Sequence, residues 1–302
     1  MTTADWIAVD WGTTHLRVWA MGPGGQVLAR HDSDEGMGAL ARDGYEPALL
    51  RLIGEALPER GRVPVIVCGM AGSRQGWAEA PYTAVPCQPP GGADARQVPT
   101  ADARLDVRIL PGVKQPQPAD VMRGEETQVA GFLALNPKFD GVICLPGTHS
   151  KWVHVSAGEI VSFRTFMTGE LFSLLSRQSV LRHSVGEEGW DDAAFDAAVT
   201  QAMGRPAGFA GDLFGLRAEA LLTGLAPETA RARLSGLLIG MELSAARPYW
   251  LGQAVAILGE SALARAYARA LEAQGVPATL ADAERMTLEG LRAAHASLKE
   301  TT

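Results

Sequence analysis

Two segments of the chain combine glycine, hydroxyl and charged side chains in an order suited to gripping a phosphate chain. They are Asp10-Trp-Gly-Thr-Thr-His-Leu-Arg-Val-Trp and Leu145-Pro-Gly-Thr-His-Ser-Lys-Trp-Val-His. Each is followed by a further turn, Gly25-Gln-Val-Leu and Gly158-Glu-Ile-Val. The Gly-Thr pairs lie 135 residues apart and the later turns 133 apart, so one supersecondary unit recurs with a slightly shorter connection. A Gly-Thr turn at a hairpin tip offers backbone N–H groups, hydroxyl donors and no Cβ to obstruct close approach, which is what a polyphosphate needs. Gly12, Thr13 and Thr14 in the first segment, and Gly147, Thr148, His149 and Ser150 in the second, are the candidate phosphate contacts, with Arg17 and Lys151 just beyond the tips as charge partners.

Among the differences between the repeats, the one that bears most on phosphate chemistry is at the first position, where Asp10 corresponds to Leu145. A carboxylate beside a triphosphate repels it unless Mg²⁺ stands between them, so Asp10 reads as a ligand of the metal or of its waters. Either hairpin alone could be an ordinary turn; the duplicated order of features argues otherwise. His15 and His149 sit at turns with no separate Cys or Ser constellation, and read as polar turn residues. Trp11, Trp19 and Trp152 read as packing residues.

The elements that must position these residues alternate between strand and helix. Trp6–Asp10, Leu16–Met21 and Gln26–Arg30, separated by Gly-Thr-Thr and Gly-Pro-Gly-Gly, predict a β-meander. An amphipathic segment from Tyr45 to Leu57 leads to Pro64-Val-Ile-Val-Cys-Gly-Met-Ala-Gly, an apolar run ending in glycines that predicts a buried strand. Ala78–Ala103 and the three prolines of Pro111–Pro118 read as a substrate loop and an interlobe linker, placing a boundary near Pro118 between lobes 1–118 and 119–302. A helix over Asp120–Leu135, a second meander over Gly141–Phe166, a mainly helical stretch, the strand Ala254–Leu258 and a helix over Ser261–Gln274 follow, and the last helix can pack back on the first lobe. The fold class is α/β.

Length supports two domains, because single hydrophobic cores stop growing at roughly 250 to 300 residues and the chain has 302. With 47% hydrophobic and 20% charged residues it can bury a full core. A net charge of −7 without a long basic run argues against a nucleic-acid or anionic-membrane surface and for small-molecule chemistry. Cys68, Cys87 and Cys144 lack metal-ligand spacing, and the first residues lack an export signal, so the expected compartment is the reducing cytoplasm, with no membrane span. Oligomeric state is open, a homodimer included.

Beyond the hairpins, Cys68-Gly-Met-Ala-Gly-Ser-Arg-Gln-Gly-Trp, Met122-Arg-Gly-Glu-Glu-Thr-Gln and Met167-Thr-Gly-Glu-Leu-Phe complete a set of segments over roughly the first 180 residues. With them the chain resembles the sugar-kinase, actin and Hsp70 superfamily, and within it the 2-dehydro-3-deoxygalactonokinase family; about Val185–Gly211 is unmatched. The resemblance implies a two-lobed actin-like ATPase (ribonuclease H-like) fold with a duplicated β-meander and a central nucleotide cleft. It implies ATP and Mg²⁺ as cofactors and phosphorylation of the 6-hydroxyl of 2-dehydro-3-deoxygalactonate in galactonate or galactose catabolism. Two alternatives share the fold: an exopolyphosphatase-like phosphohydrolase, and a nucleotide-dependent binding protein resembling actin or Hsp70.

Alcohol phosphorylation needs a carboxylate within reach of the attacking hydroxyl. Related sugar kinases carry a Gly-Asp pair where this chain has Gly124-Glu125-Glu126, which makes Glu125 the expected base and Glu126 the next candidate. Carboxylates in a first helical turn are also favoured by the helix dipole alone. The strand-to-helix junction Gly259-Glu260-Ser261 resembles the adenosine element of these kinases. Gly69, Met70, Ala71, Gly72, Ser73 and Arg74 follow a strand, where ligands of α/β sheets gather, and Arg74 suits the carboxylate of a sugar acid. Thr168, Gly169 and Glu170 either complete that pocket or simply start a helix.

Overall fold

A computed structural model describes residues 3–259 and 262–299. Alternating apolar runs make the first half mostly strand: β1 (Trp6–Trp11), β2 (Leu16–Met21), β3 (Val27–Ser33), helix α1 (Tyr45–Ile53), β4 (Val63–Gly69), β5 (Tyr82–Ala84), β6 (Arg96–Val98), β7 (Leu105–Ile109), β8 (Gly112–Gln115), β9 (Asp120–Met122) and α2 (Glu125–Leu135). The second half repeats the opening with β10 (Gly141–Leu145), β11 (Ser150–Ser156) and β12 (Glu159–Phe166). It then runs through α3 (Thr168–Arg177), α4 (Asp192–Gly204), α5 (Phe209–Leu222), α6 (Pro227–Ala245) and α7 (Arg247–Trp250). It closes with β13 (Val255–Leu258), α8 (Ala262–Glu272), β14 (Ala278–Ala281) and α9 (Ala283–Lys299).

Strand order carries the duplication. One sheet runs β3-β2-β1-β4-β7-β6 and another β12-β11-β10-β13-β14, so each places the third, second and first strands of a meander beside later strands of the chain. β4 lies parallel to β1 and β7, and β13 lies parallel to β10 and β14. The inner strands β1, β4, β10 and β13 are almost wholly buried, as expected for strands covered on both faces. A small third sheet has the order β5-β8-β9.

The chain divides into two compact units. The first comprises 1–140, 155–162 and 282–302; the second comprises 141–154 and 163–281. The first unit therefore continues past Pro118, where the prolines suggested a boundary, because Asp120–Met122 pairs with β8. That pairing also shortens the expected helix, which starts at Glu125 and not at Asp120. Within this unit α2 packs on α9 through Gly131 and Gly290, where a Cβ on either residue would collide with a carbonyl oxygen of the other helix. Of the segment 78–103, read as a loop, Tyr82–Ala84 and Arg96–Val98 are short strands.

Each unit has its own core. Trp11, Tyr45 and Trp77 cluster in the first, with ring centroids 4.8 to 5.9 Å apart, and Trp152, Phe195, Trp250 and Tyr267 are buried in the second. Trp11, Trp19 and Trp152 are packing residues, as expected. No helix among the described residues is long and apolar enough to cross a membrane.

Candidate active site

In the first unit, strand register brings Asp10 beside Arg17 on β2 and Cys68 on β4. Arg17 Nη1 donates to Asp10 Oδ2 at 3.0 Å, and Cys68 Sγ lies 3.8 Å from Oδ1. The Asp10 side chain is only 18% exposed, and burial pushes its pKa above the usual aspartate value while Arg17 pulls it back. At the hairpin tip Gly12 N–H donates to His15 O at 2.9 Å, and Gly36–Gly38 tie down the tip carbonyls, with Gly38 N–H donating to Thr13 O at 2.8 Å. Thr13 and Thr14 are exposed, and among the described residues nothing accepts from their backbone N–H groups. His15 contacts Asp34 at 3.1 Å, a polar turn pair.

Gly124, at φ +107°, caps α2 and lies against Gly69 at the end of β4. The two glutamates that follow differ in setting. Glu126 is 1% exposed and both its oxygens accept from Gly124 N–H at 2.8 Å. Burial first, and then the neighbouring Glu125, raise its pKa to about 7. Glu125 is half-buried, and its Oε2 accepts from Arg123 N–H at 3.0 Å. Both carboxylates thus satisfy backbone donors at the helix start, the bonding that the helix-dipole account anticipates.

Residues 69–74 divide sharply. Gly69, Ala71 and Gly72 are buried, Ser73 contacts Met37 Sδ at 3.1 Å, Met70 is half-buried and Arg74 is exposed. Beneath Gly72 lies Arg123, 9% exposed, which donates to Ala80 O at 2.9 Å and stacks over the Tyr82 ring at 4.2 Å. Its Nε and Nη1 find no partner among the described residues. Sequence reasoning missed this residue, although it adjoins Gly124.

In the second unit the Gly147-Thr148 tip is clamped from the start of α3. Glu170 N–H donates to Thr148 O at 2.9 Å, and His149 Nε2 and Glu170 Oε2 are 2.6 Å apart. Gly169 packs so closely on Gly147 O that any side chain there would displace the tip. Thr168, Gly169 and Glu170 therefore belong with the second hairpin, in a different unit from residues 69–74. Ser150 and Lys151 are buried; the Ser150 hydroxyl is engaged by Tyr267 at 2.9 Å.

The tip opens on a cavity of about 1080 Å³ lined by Gly147, Thr148, Thr168 and Gly169 on one side and by Phe172, Leu238, Ile239, Leu263 and Ala266 along apolar walls. Arg231, Arg265 and Arg269 also line it, as do Glu187, Glu188, Trp190 and Asp192 from the segment the family motifs left unmatched. A half-exposed tryptophan next to glycine, Gly189-Trp190, was the available sequence signal. Gly259 closes β13, its N–H donating to Ala281 O at 2.7 Å; Glu260 and Ser261 lie outside the described residues. An apolar cavity bordered by a Gly-Thr tip can hold a flat base and direct an attached phosphate chain at the tip. No group of three or more His, Cys, Asp or Glu side chains among the described residues is placed to hold a metal, so Asp10 offers a single carboxylate.

A duplicated meander sheet with a Gly-Thr hairpin in each unit defines an actin-like ATPase fold. MreB 5 of Spiroplasma citri shares it at a TM-score of 0.51 with 9% identity, the alignment covering 100% of this chain and 98% of that one. The family model for 2-keto-3-deoxy-galactonokinase matches residues 10–294, and the chain belongs to that family. Among curated relatives it is 42% identical to "Probable 2-dehydro-3-deoxygalactonokinase DgoK1" of Rhizobium meliloti, over 97% of this chain and 98% of the relative. It is 36% identical to the 2-dehydro-3-deoxygalactonokinase of Escherichia coli K12, over 97% and 99%. A solved structure of a candidate 2-dehydro-3-deoxygalactonokinase from Sinorhizobium meliloti superposes with a TM-score of 0.91 at 40% identity, over 97% of this chain and 99% of that one. These likenesses favour neither the phosphohydrolase nor the binding-protein alternative.

Proposed function

We propose that this protein transfers the γ-phosphoryl group of ATP to the 6-hydroxyl of 2-dehydro-3-deoxygalactonate. The observation that carries the reading is the apolar cavity that opens on the Gly147-Thr148 tip, in a chain of this kinase family. The cavity takes the nucleoside, and backbone and hydroxyl donors of Gly147 and Thr148 take phosphate oxygens. Gly12, Thr13 and Thr14 serve the same purpose in the first unit, where the Thr13 and Thr14 N–H groups have no acceptor among the described residues.

Asp10 suits Mg²⁺, which typically takes one or two protein carboxylates and completes its shell with phosphates and water. When bound, the ion neutralises charge on the phosphates. Arg17 offsets part of the effect of burial on the Asp10 carboxyl group. Glu125, the less buried of the two glutamates, accepts the proton of the attacking hydroxyl, and Glu126 stands behind it. Arg74, exposed beyond β4, receives the carboxylate of the sugar acid. The reduced thiols Cys68, Cys87 and Cys144 suit the cytoplasm.

Incubation of the purified protein with Mg²⁺, ATP and a panel of ketodeoxy sugar acids tests the reading. Phosphorylated 2-dehydro-3-deoxygalactonate is the expected product. Absence of any phosphorylated acid, or release of orthophosphate from polyphosphate in its place, would overturn it.

A further inference from the structure

The second unit contains a buried carboxylate to which the proposed chemistry gives no part. Glu242, on α6, is 1% exposed in an otherwise apolar stretch, Leu237-Leu-Ile-Gly-Met-Glu-Leu. Its Oε1 accepts from Trp152 Nε1 at 2.7 Å, and its Oε2 accepts from the Tyr267 hydroxyl at 2.7 Å and from the Thr168 hydroxyl. Because the Tyr267 hydroxyl donates to Glu242, the Ser150 hydroxyl, 2.9 Å away, donates in turn to the Tyr267 oxygen. The donors come from three elements besides α6. Ser150 and Trp152 open β11 directly after the Gly147-Thr148 tip, Thr168 begins α3, and Tyr267 lies on α8.

The same elements wall the cavity. Thr168 lines it directly, Leu238 lies one turn before Glu242 on α6, and Leu263 and Ala266 lie beside Tyr267 on α8. We propose that Glu242 is a positioning residue for the nucleotide. It fixes the second hairpin, the start of α3 and α8 relative to one another, so that phosphate contacts and nucleoside walls meet one ligand together. An apolar side chain could fill such a site without the desolvation that a buried carboxyl group incurs, and tying three cavity walls to one acceptor gives the group a role in ATP binding. Tyr267 is not among the residues lining the cavity, so its effect on a nucleotide must pass through the network. The inference rests on reading the cavity as the nucleotide site.

The test compares the full-length wild type with Glu242→Ala, Tyr267→Phe, Thr168→Val and Thr168→Ser, by calorimetric titration with Mg-ATP, by KM for the sugar acid and by thermal melting. Because loss of a buried carboxylate can unfold a protein, Tyr267→Phe and Thr168→Val, which delete single donors, decide the matter. Expected is a loss of ATP affinity of about tenfold in both, the equivalent of one hydrogen bond to a charged group. The acceptor KM should stay within about twofold and Thr168→Ser should restore binding. Folded variants with unchanged ATP affinity, or with ATP and acceptor weakened alike, would overturn the inference. A wild type that binds ATP yet phosphorylates no acid would overturn the proposed function and still leave the titrations to decide the role of Glu242.

Discussion

Arg17 reaches across the first hairpin to Asp10, its Nη1 3.0 Å from Oδ2, so a guanidinium faces the carboxylate that the second hairpin replaces with Leu145. Burial favours the protonated acid and the guanidinium favours the carboxylate. The pair places a cation against the residue proposed for the metal, opposing the larger effect of burial.

Asp10→Asn should therefore reduce kcat by roughly a hundredfold or more, because the proposed metal loses its protein carboxylate. It should also raise the Mg²⁺ concentration needed for half-maximal rate. The amide can still accept from Arg17, so the melting temperature should fall by only a few degrees. An unchanged rate would remove Asp10 from the metal site.

Glu125→Gln should lower kcat by about 10² to 10⁴, the usual range for loss of a general base, and leave ATP affinity within about twofold. If Glu126→Gln produces that loss and Glu125→Gln does not, the assignment of the two glutamates is reversed.

Glu126 also makes stability depend on pH. Its folded pKa of about 7 lies above the ordinary value of 4.5, so the native state holds the proton more tightly than the unfolded chain. Stability relative to Glu126→Gln should be greatest below about pH 4.5 and decline up to about pH 7, by roughly 3 kcal/mol, with no further change at higher pH. Denaturant unfolding of both proteins across this range measures the difference. Parallel curves would show that Glu126 is not held protonated.

Gly169→Ala would force a Cβ against Gly147 O and shift the second tip. A rise in KM for ATP of about tenfold, with the acceptor KM little changed, is expected from displaced phosphate contacts. Equal rises for both substrates would place the tip elsewhere in the reaction.

Much of the framework is written locally. Gly-Thr turns between alternating apolar runs specify hairpins, and the recurrence of one hairpin pattern points to the two meanders, β1-β2-β3 and β10-β11-β12. The difference between Asp10 and Leu145 was equally plain, since it depends only on residue identity at matched positions.

Other features depend on residues far apart in the chain. The prolines before Pro118 marked turns, but only the pairing of β9 with β8 and the packing of α2 on α9 decided that the first unit continues to Asp140. Gly72 looked like part of a ligand loop, and the arginine beneath it could not be foreseen from a spacing of about fifty residues. A lone glutamate in the apolar run of α6 announces that something buried must donate to it, because an unpaired buried charge is too costly to persist. Sequence cannot say that the donors are Trp152, Thr168 and Tyr267, for periodicity tells which face of an element is buried and not what it is buried against. Residue order thus determined the two hairpins and their one asymmetric carboxylate, and tertiary packing decided which side chains hold the second tip and shape the cavity beside it.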